Sequence, residues 1–226
     1  MCLMKNCLLL VSLFFSAFFP SLELHSFTAH SADSNLPFIV PITGDPDGIF
    51  GVLRVQALVA FPTLENFAAT VTRGRPDQVA GVYVPKTLAL RVIQQPANAA
   101  GFVAALSGTA TQFGMAAQHG AIGLLAHNYF SGNQFFDLSD GQKVDIIYGD
   151  GTMGRYVVST IRHFQALSPA DPYSDFVDLD NGGNRLSSTD VFNQIYTNSR
   201  VVFQTCICAE GNLSWGRLFV TAIPID

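Results

Sequence analysis

The sequence predicts a mainly β protein, a single barrel or sandwich with two or three short helices, and three observations carry that prediction. Runs rich in Val, Ile, Phe and Thr recur at short intervals with period-two alternation, as half-buried strands require. Glycine and proline close most of these runs, as in "VAGVYVP" (79–85) and "LALRVIQQP" (88–96). Charged residues make up only 13% of the chain against 49% hydrophobic, too few for many solvent-exposed helices. A chain of 226 residues without repeats suits one such domain plus extensions.

Residues 1–32 read as a cleaved export signal. Lys5 gives the positive start, Leu8 to Phe19 an apolar run of twelve ended by Pro20, and "TAHSA" the small residues that cleavage needs. Twelve apolar residues are short for a bilayer span. Residues 33–50, rich in Pro, Gly and Asp, form an extended lead-in, and the folded domain runs over 51–226. "GVLRVQALVAF" (51–61) alternates as a first strand, and "LENFAATVTRG" (64–74) fits a short helix or a second strand equally well. Strands follow over 79–85 and 88–96. The Ala- and Gly-rich stretch 98–120 reads as short helices or loops. "AIGLLAHN" (121–128) is a buried strand ending at His127. Two alternating runs around "GDGTMG" then make a hairpin within 142–167. Residues 168–187 read as a long polar loop, and 188–198 as a helix capped by Ser188 or Thr189. "RVVFQTCI" and "GRLFVTAIPI" close the domain as a pair of strands around the loop "AEGNLSWG".

The formal net charge is −5 and no Lys/Arg cluster occurs, which argues against nucleic acid as a partner, because phosphate neutralisation needs grouped cations. Cys2 and Cys7 leave with the export segment, so the mature chain keeps Cys206 and Cys208. One residue apart, these two share a strand face and would strain to bridge each other. An exported domain of this kind ordinarily uses distant cysteine pairs as staples, so a thiol retained here points to chemistry. A disulfide, a metal site, core filler and half of an active site are the readings open to it.

Three reactive side chains stand at strand ends: His127, Cys206 and Arg217. A thiol nucleophile needs an imidazole to manage its protons, and acyl transfer needs positive charge where the oxyanion develops. Arginine stays protonated and presents several donors, so it suits that second task. The order His, Cys, Arg resembles the sortases, the bacterial cysteine transpeptidases of the cell surface. "GLLAHNYFSGNQFFDLSDGQKVDIIYGDGTMGRYVV" resembles the sortase stretch in which a strand delivers the histidine, with Tyr156 and Val158 as its Tyr-x-Val mark. "VVFQTC" is similar to the family's Thr-Leu-x-Thr-Cys strand, and "WGRLFVTA" to its Arg-bearing final strand. The resemblance covers roughly residues 120–226.

That resemblance implies a closed, mixed barrel of about eight strands and a secreted or cell-surface, extracytoplasmic monomer. It implies Cys206 as nucleophile, His127 as general acid and base, and Arg217 as substrate clamp and oxyanion donor, with Thr205, Trp215 and Asn128 lining the substrate. The partners it implies are a sorting-motif peptide and an amine acceptor, from the cell envelope or a pilin-like lysine. No cofactor is required. Calcium is a weaker expectation, at Asp171, Asp175, Asp178 and Asp180, since some sortases bind it near this loop and oxygen ligands suit it; the spacing fails the EF-hand pattern. "VPITG" (40–44) resembles the Leu-Pro-x-Thr-Gly peptide that sortases cut. No apolar tail with basic residues follows it, so it reads as coincidence. Two other readings stand beside transpeptidation: a non-catalytic surface-binding module on the same barrel, and another cell-wall cysteine hydrolase or L,D-transpeptidase. The Ser-x-Gly-Cys-x-Arg pattern of the last is absent.

Overall fold

The computed structural model describes residues 60–225. The export signal, the lead-in with "VPITG", and residues 51–59 of the first expected strand lie outside the described residues; Ala60 and Phe61 are not in a strand. The elements run α1 (Leu64–Val71), β1 (Val79–Val84), β2 (Leu88–Gln94), β3 (Thr109–Phe113), α2 (Gly114–Gln118) and β4 (Ile122–Leu125). A 3-10 helix (Ser131–Asp137) follows, then β5 (Lys143–Tyr148), β6 (Met153–Ala166), β7 (Phe176–Asp178), β8 (Arg185–Leu186), α3 (Ser188–Ile195), β9 (Val201–Ala209) and β10 (Asn212–Pro224).

The sheet has the order β10-β9-β4-β3-β2-β1-β5-β6, and β6 pairs back onto β10 from Gly216↔Gln165 to Pro224↔Tyr156, closing an eight-stranded barrel. Pairs β2–β3 and β4–β9 are parallel and the other pairs of the ring antiparallel, so the barrel is mixed, as expected. The hairpin β7–β8 hangs on the far end of β6. Inward residues of all eight strands fill the barrel, among them Val82, Leu90, Ala110, Leu124, Ile146, Val158, Phe203 and Val220. Phe135, from the 3-10 helix, packs edge-on against Phe203 at 5.2 Å and 69° and plugs one end.

Two helices cover the outside. α1 takes its helical form from Thr63, whose side chain accepts from the Asn66 amide at 3.2 Å, and buries Phe67, Ala68 and Val71. It can lie on β1 because Gly81 has no side chain: a Cβ there would stand 2.8 Å from Val71 Cγ2. α3 begins one residue earlier than the sequence suggested, because Ser187 forms a capping box with Asp190. Val191, Ile195 and Tyr196 pack with Val202, Phe164 and Phe219 on the outer faces of β9, β6 and β10.

Three other segments differ from expectation. β3 lies inside the stretch read as helix or loop, since Thr109 and Thr111 are buried polar residues that break the apolar pattern. The 168–187 segment is not all loop: β7 and β8 are too short and too polar to register as strands. The "AEGNLSWG" loop shrinks to the two residues Glu210 and Gly211, both at positive φ (52° and 75°), and β10 starts at Asn212. Positive φ at both central residues is the geometry that joins twisted antiparallel strands most tightly.

Candidate active site

β4, β9 and β10 are consecutive in the sheet; β9 carries Cys206, β10 carries Arg217, and β4 ends at Leu125, two residues before His127, earlier than the sequence suggested. Cys206 and Arg217 are direct partners across the antiparallel β9–β10 pair, so their side chains leave the sheet on the same face. In the parallel β4–β9 pair each residue meets the one 79 positions further on, from Ile122↔Val201 to Leu125↔Gln204. The Ala126 amide still donates to the Gln204 carbonyl, at 3.3 Å, beyond the last pair. The same offset carried to residue 127 sets His127 level with Cys206. Their separation of 79 positions in sequence thus equals the offset of this strand pair. Cys206 and Arg217 thus stand side by side on the outer face of the sheet, and His127, in the loop that leaves β4, falls into the same row by that offset; all three are half-buried.

Alternation explains the side. Phe203 and Leu218 point into the barrel, so Gln204, Cys206 and Arg217 point out. Val202 and Phe219 lie on that same outer face beneath α3, and Tyr196 of the helix bonds Gln204 through its hydroxyl. Burial pushes the Tyr196 phenol far up, so it stays a neutral donor. The row begins two residues past this covered patch. Cys206 is a free thiol.

The histidine loop is fastened on both sides. Before it, the Thr205 hydroxyl, buried inside the fold, donates to the Ala126 carbonyl at 2.8 Å. At His127 itself, the carbonyl accepts from the amides of Phe130 (2.9 Å) and Gly132 (3.0 Å). After it, the Asn128 side-chain amide donates to the Leu213 carbonyl at 2.9 Å, tying the loop to β10. A Cβ on Gly132 would stand 2.5 Å from the Ala126 carbonyl and 2.7 Å from that of His127, so only glycine passes beneath this loop. Thr205 and Asn128 thus spend these groups on protein partners. Trp215 is half-buried, with its indole N–H enclosed and without an acceptor among the described residues.

Arg217 is oriented by main-chain carbonyls. One terminal nitrogen, Nη1, donates to Ser214 and Gly216, both at 2.9 Å, and Nη2 reaches Pro169 at 3.5 Å. Guanidinium carries five N–H donors, and Nε makes no bond among the described residues. Donors are left for a further acceptor.

The four aspartates do not converge. Asp171 accepts from the Tyr173 amide, Asp175 holds Arg185, Asp178 holds Arg162, and Asp180 faces His163. Among the described residues no group of three or more His, Cys, Asp or Glu is set to hold a metal ion. Two features of the site escaped the sequence: Tyr129, whose ring stacks on His127, and Gly132 beneath the loop. Neither has a periodicity signal; only the run of small and aromatic residues in "NYFSGNQFF" marked the segment.

No protein-family model matches the chain, and no curated protein does. Solved structures do. Sortase A of Listeria monocytogenes is 15% identical over 66% of this chain and 89% of its own, with a TM-score of 0.39. Sortase C-1 of Actinomyces oris is 14% identical over 74% and 82%, with a TM-score of 0.43. The pilus-related sortase C of Group B Streptococcus is 15% identical over 68% and 70%, with a TM-score of 0.40. The eight-stranded barrel itself stands on this chain's own strand pairing.

Proposed function

We propose that the protein is a secreted or cell-surface cysteine transpeptidase that cuts a sorting-motif peptide and passes its acyl part to an amine. The observation that supports this reading is the pairing of Cys206 with Arg217 across β9–β10, beside the end of β4 from which the His127 loop leaves. In the first half-reaction the Cys206 sulfur attacks the peptide carbonyl; the C–S bond forms, the C–N bond breaks, and His127 delivers a proton to the leaving amine. In the second, an acceptor amine attacks the thioester and gives its proton to His127; the new C–N bond forms and the thiolate returns. Water in place of the amine yields hydrolysis. Arg217, with its carbonyl-anchored end fixed, offers its remaining donors to the oxyanion of both tetrahedral intermediates. Fixed donors of that kind typically contribute on the order of a hundredfold or more in rate.

Thr205 and Asn128 enter as residues that hold the histidine loop, and Trp215 as part of the groove wall. The acceptor is a cell-envelope amine or a pilin-like lysine. A non-catalytic binding module on this barrel would not need the three residues in one row. Mass spectrometry tests the proposal: the folded protein, incubated with a library of Pro-x-Thr-Gly peptides, should carry an acyl adduct on Cys206 that an added amine removes. Absence of an adduct with every peptide, together with unchanged thiol labelling in His127→Ala and Arg217→Ala, would sink the proposal.

A further inference from the structure

The backbone around His127 is held by four hydrogen bonds, but those bonds do not set the ring. The imidazole's neighbour is Tyr129, whose ring centroid lies 5.0 Å away with the two planes only 18° apart. Tyr129 in turn leans on Phe130, at 4.9 Å and 52°. Tyr129 is 58% exposed, so its ring is not there to fill a core. A large exposed aromatic laid flat on a half-buried imidazole restricts that ring's rotation and shields one of its faces from water.

We propose that Tyr129 is the positioning residue of His127: its stacked ring holds the imidazole in the rotamer that faces Cys206. This rests on the transpeptidase reading for its consequence, but the contact can be tested without a substrate. In the full-length protein, the ring protons of His127 should lie upfield under the Tyr129 ring current. They should move downfield in Tyr129→Leu and return in Tyr129→Phe. The reaction of Cys206 with iodoacetamide at neutral pH should slow about threefold to tenfold in Tyr129→Leu, the range that an aromatic pair of this kind stabilises. Tyr129→Phe should restore it. A loss of structure alone would expose the thiol and speed its alkylation, so the expected direction separates positioning from folding. If His127→Ala slows alkylation while Tyr129→Leu leaves both the rate and the ring protons unchanged, the positioning role is overturned and the transpeptidase reading survives. If His127→Ala leaves alkylation unchanged, the imidazole does not serve the thiol, and the transpeptidase reading fails with it. A Tyr129→Phe variant that behaves like Tyr129→Leu would also overturn the proposal, because it would assign the effect to the hydroxyl.

Discussion

Asp178 stands at the end of β7 with its carboxylate only 5% exposed, bonded by the Arg162 guanidinium. Its surroundings oppose one another. Burial raises its pKa, but the Asn181 side chain, the Asp180 amide and Arg162 together outweigh burial and hold it below the usual carboxylate range. A depressed folded-state pKa means that the ionised carboxylate favours the fold. The contribution is present in full above the ordinary aspartate value near 3.9 and is lost as pH falls through the folded value. Urea denaturation from pH 6 to 3 should therefore show a loss of stability below about pH 4 that is smaller in Asp178→Asn, where only the other depressed carboxylates, Asp77, Asp150 and Asp190, remain. At pH 6 the variant itself should be less stable by about 3 kcal/mol or more, since Arg162 keeps its charge with its partner gone. Equal pH slopes for the two proteins would contradict this account.

At the scale of elements, what could be read in advance follows from how each element earns its stability. β1, β2, β5, β6 and β9 carry apolar alternation or solid apolar runs, and the sequence placed all five. β3 is held by hydroxyls: Thr111 accepts from the Ala104 amide at 2.9 Å, and the Thr109 amide donates to Ser131 at 3.0 Å. Such bonds leave no periodic trace. The β7–β8 hairpin depends on Asp178 collecting the amides of Asp180 and Asn181, again a polar device. The candidate site was legible as residue types, because His127, Cys206 and Arg217 carry reactive groups whose order alone is informative. The register that aligns them was not, since a 79-residue offset belongs to a parallel pair that only the folded chain defines. The Glu210–Gly211 turn gives the element-scale prediction. Glu210 is a non-glycine residue at φ 52°, where a Cβ costs roughly 1 kcal/mol. Glu210→Asn creates the Asn-Gly pair that this turn favours and should stabilise the protein by about 0.5–1 kcal/mol. An unchanged or lowered melting temperature would show that the turn does not limit the hairpin.

The closed ring makes the barrel one unit. β10 pairs along nearly its whole length with both β9 and β6, so the eight-stranded ring has no open edge that could peel away alone. The central core draws on every strand of the ring, and no subset of strands encloses a core of its own. The β6–β10 closure also joins residues more than fifty positions apart, and the β1–β5 pair joins Val79 to Tyr148. Contacts of such separation make folding slow, because chain entropy is lost before they form. They also make it cooperative, because each strand's partners are set by the closure. The protein's one tryptophan, Trp215, sits on β10 beside the reactive row, and far-UV circular dichroism reports on the whole sheet. Urea unfolding followed by Trp215 fluorescence and by circular dichroism should give superimposable transitions with one midpoint. The α1 layer, packed on β1 and β5 through Phe67, Val71 and Ile147, should be lost in the same transition. If the fluorescence of Trp215 changed at lower urea than the sheet signal, the β9–β10 arm would open separately. The row of His127, Cys206 and Arg217 would then be a local structure, not one fixed by closure of the barrel.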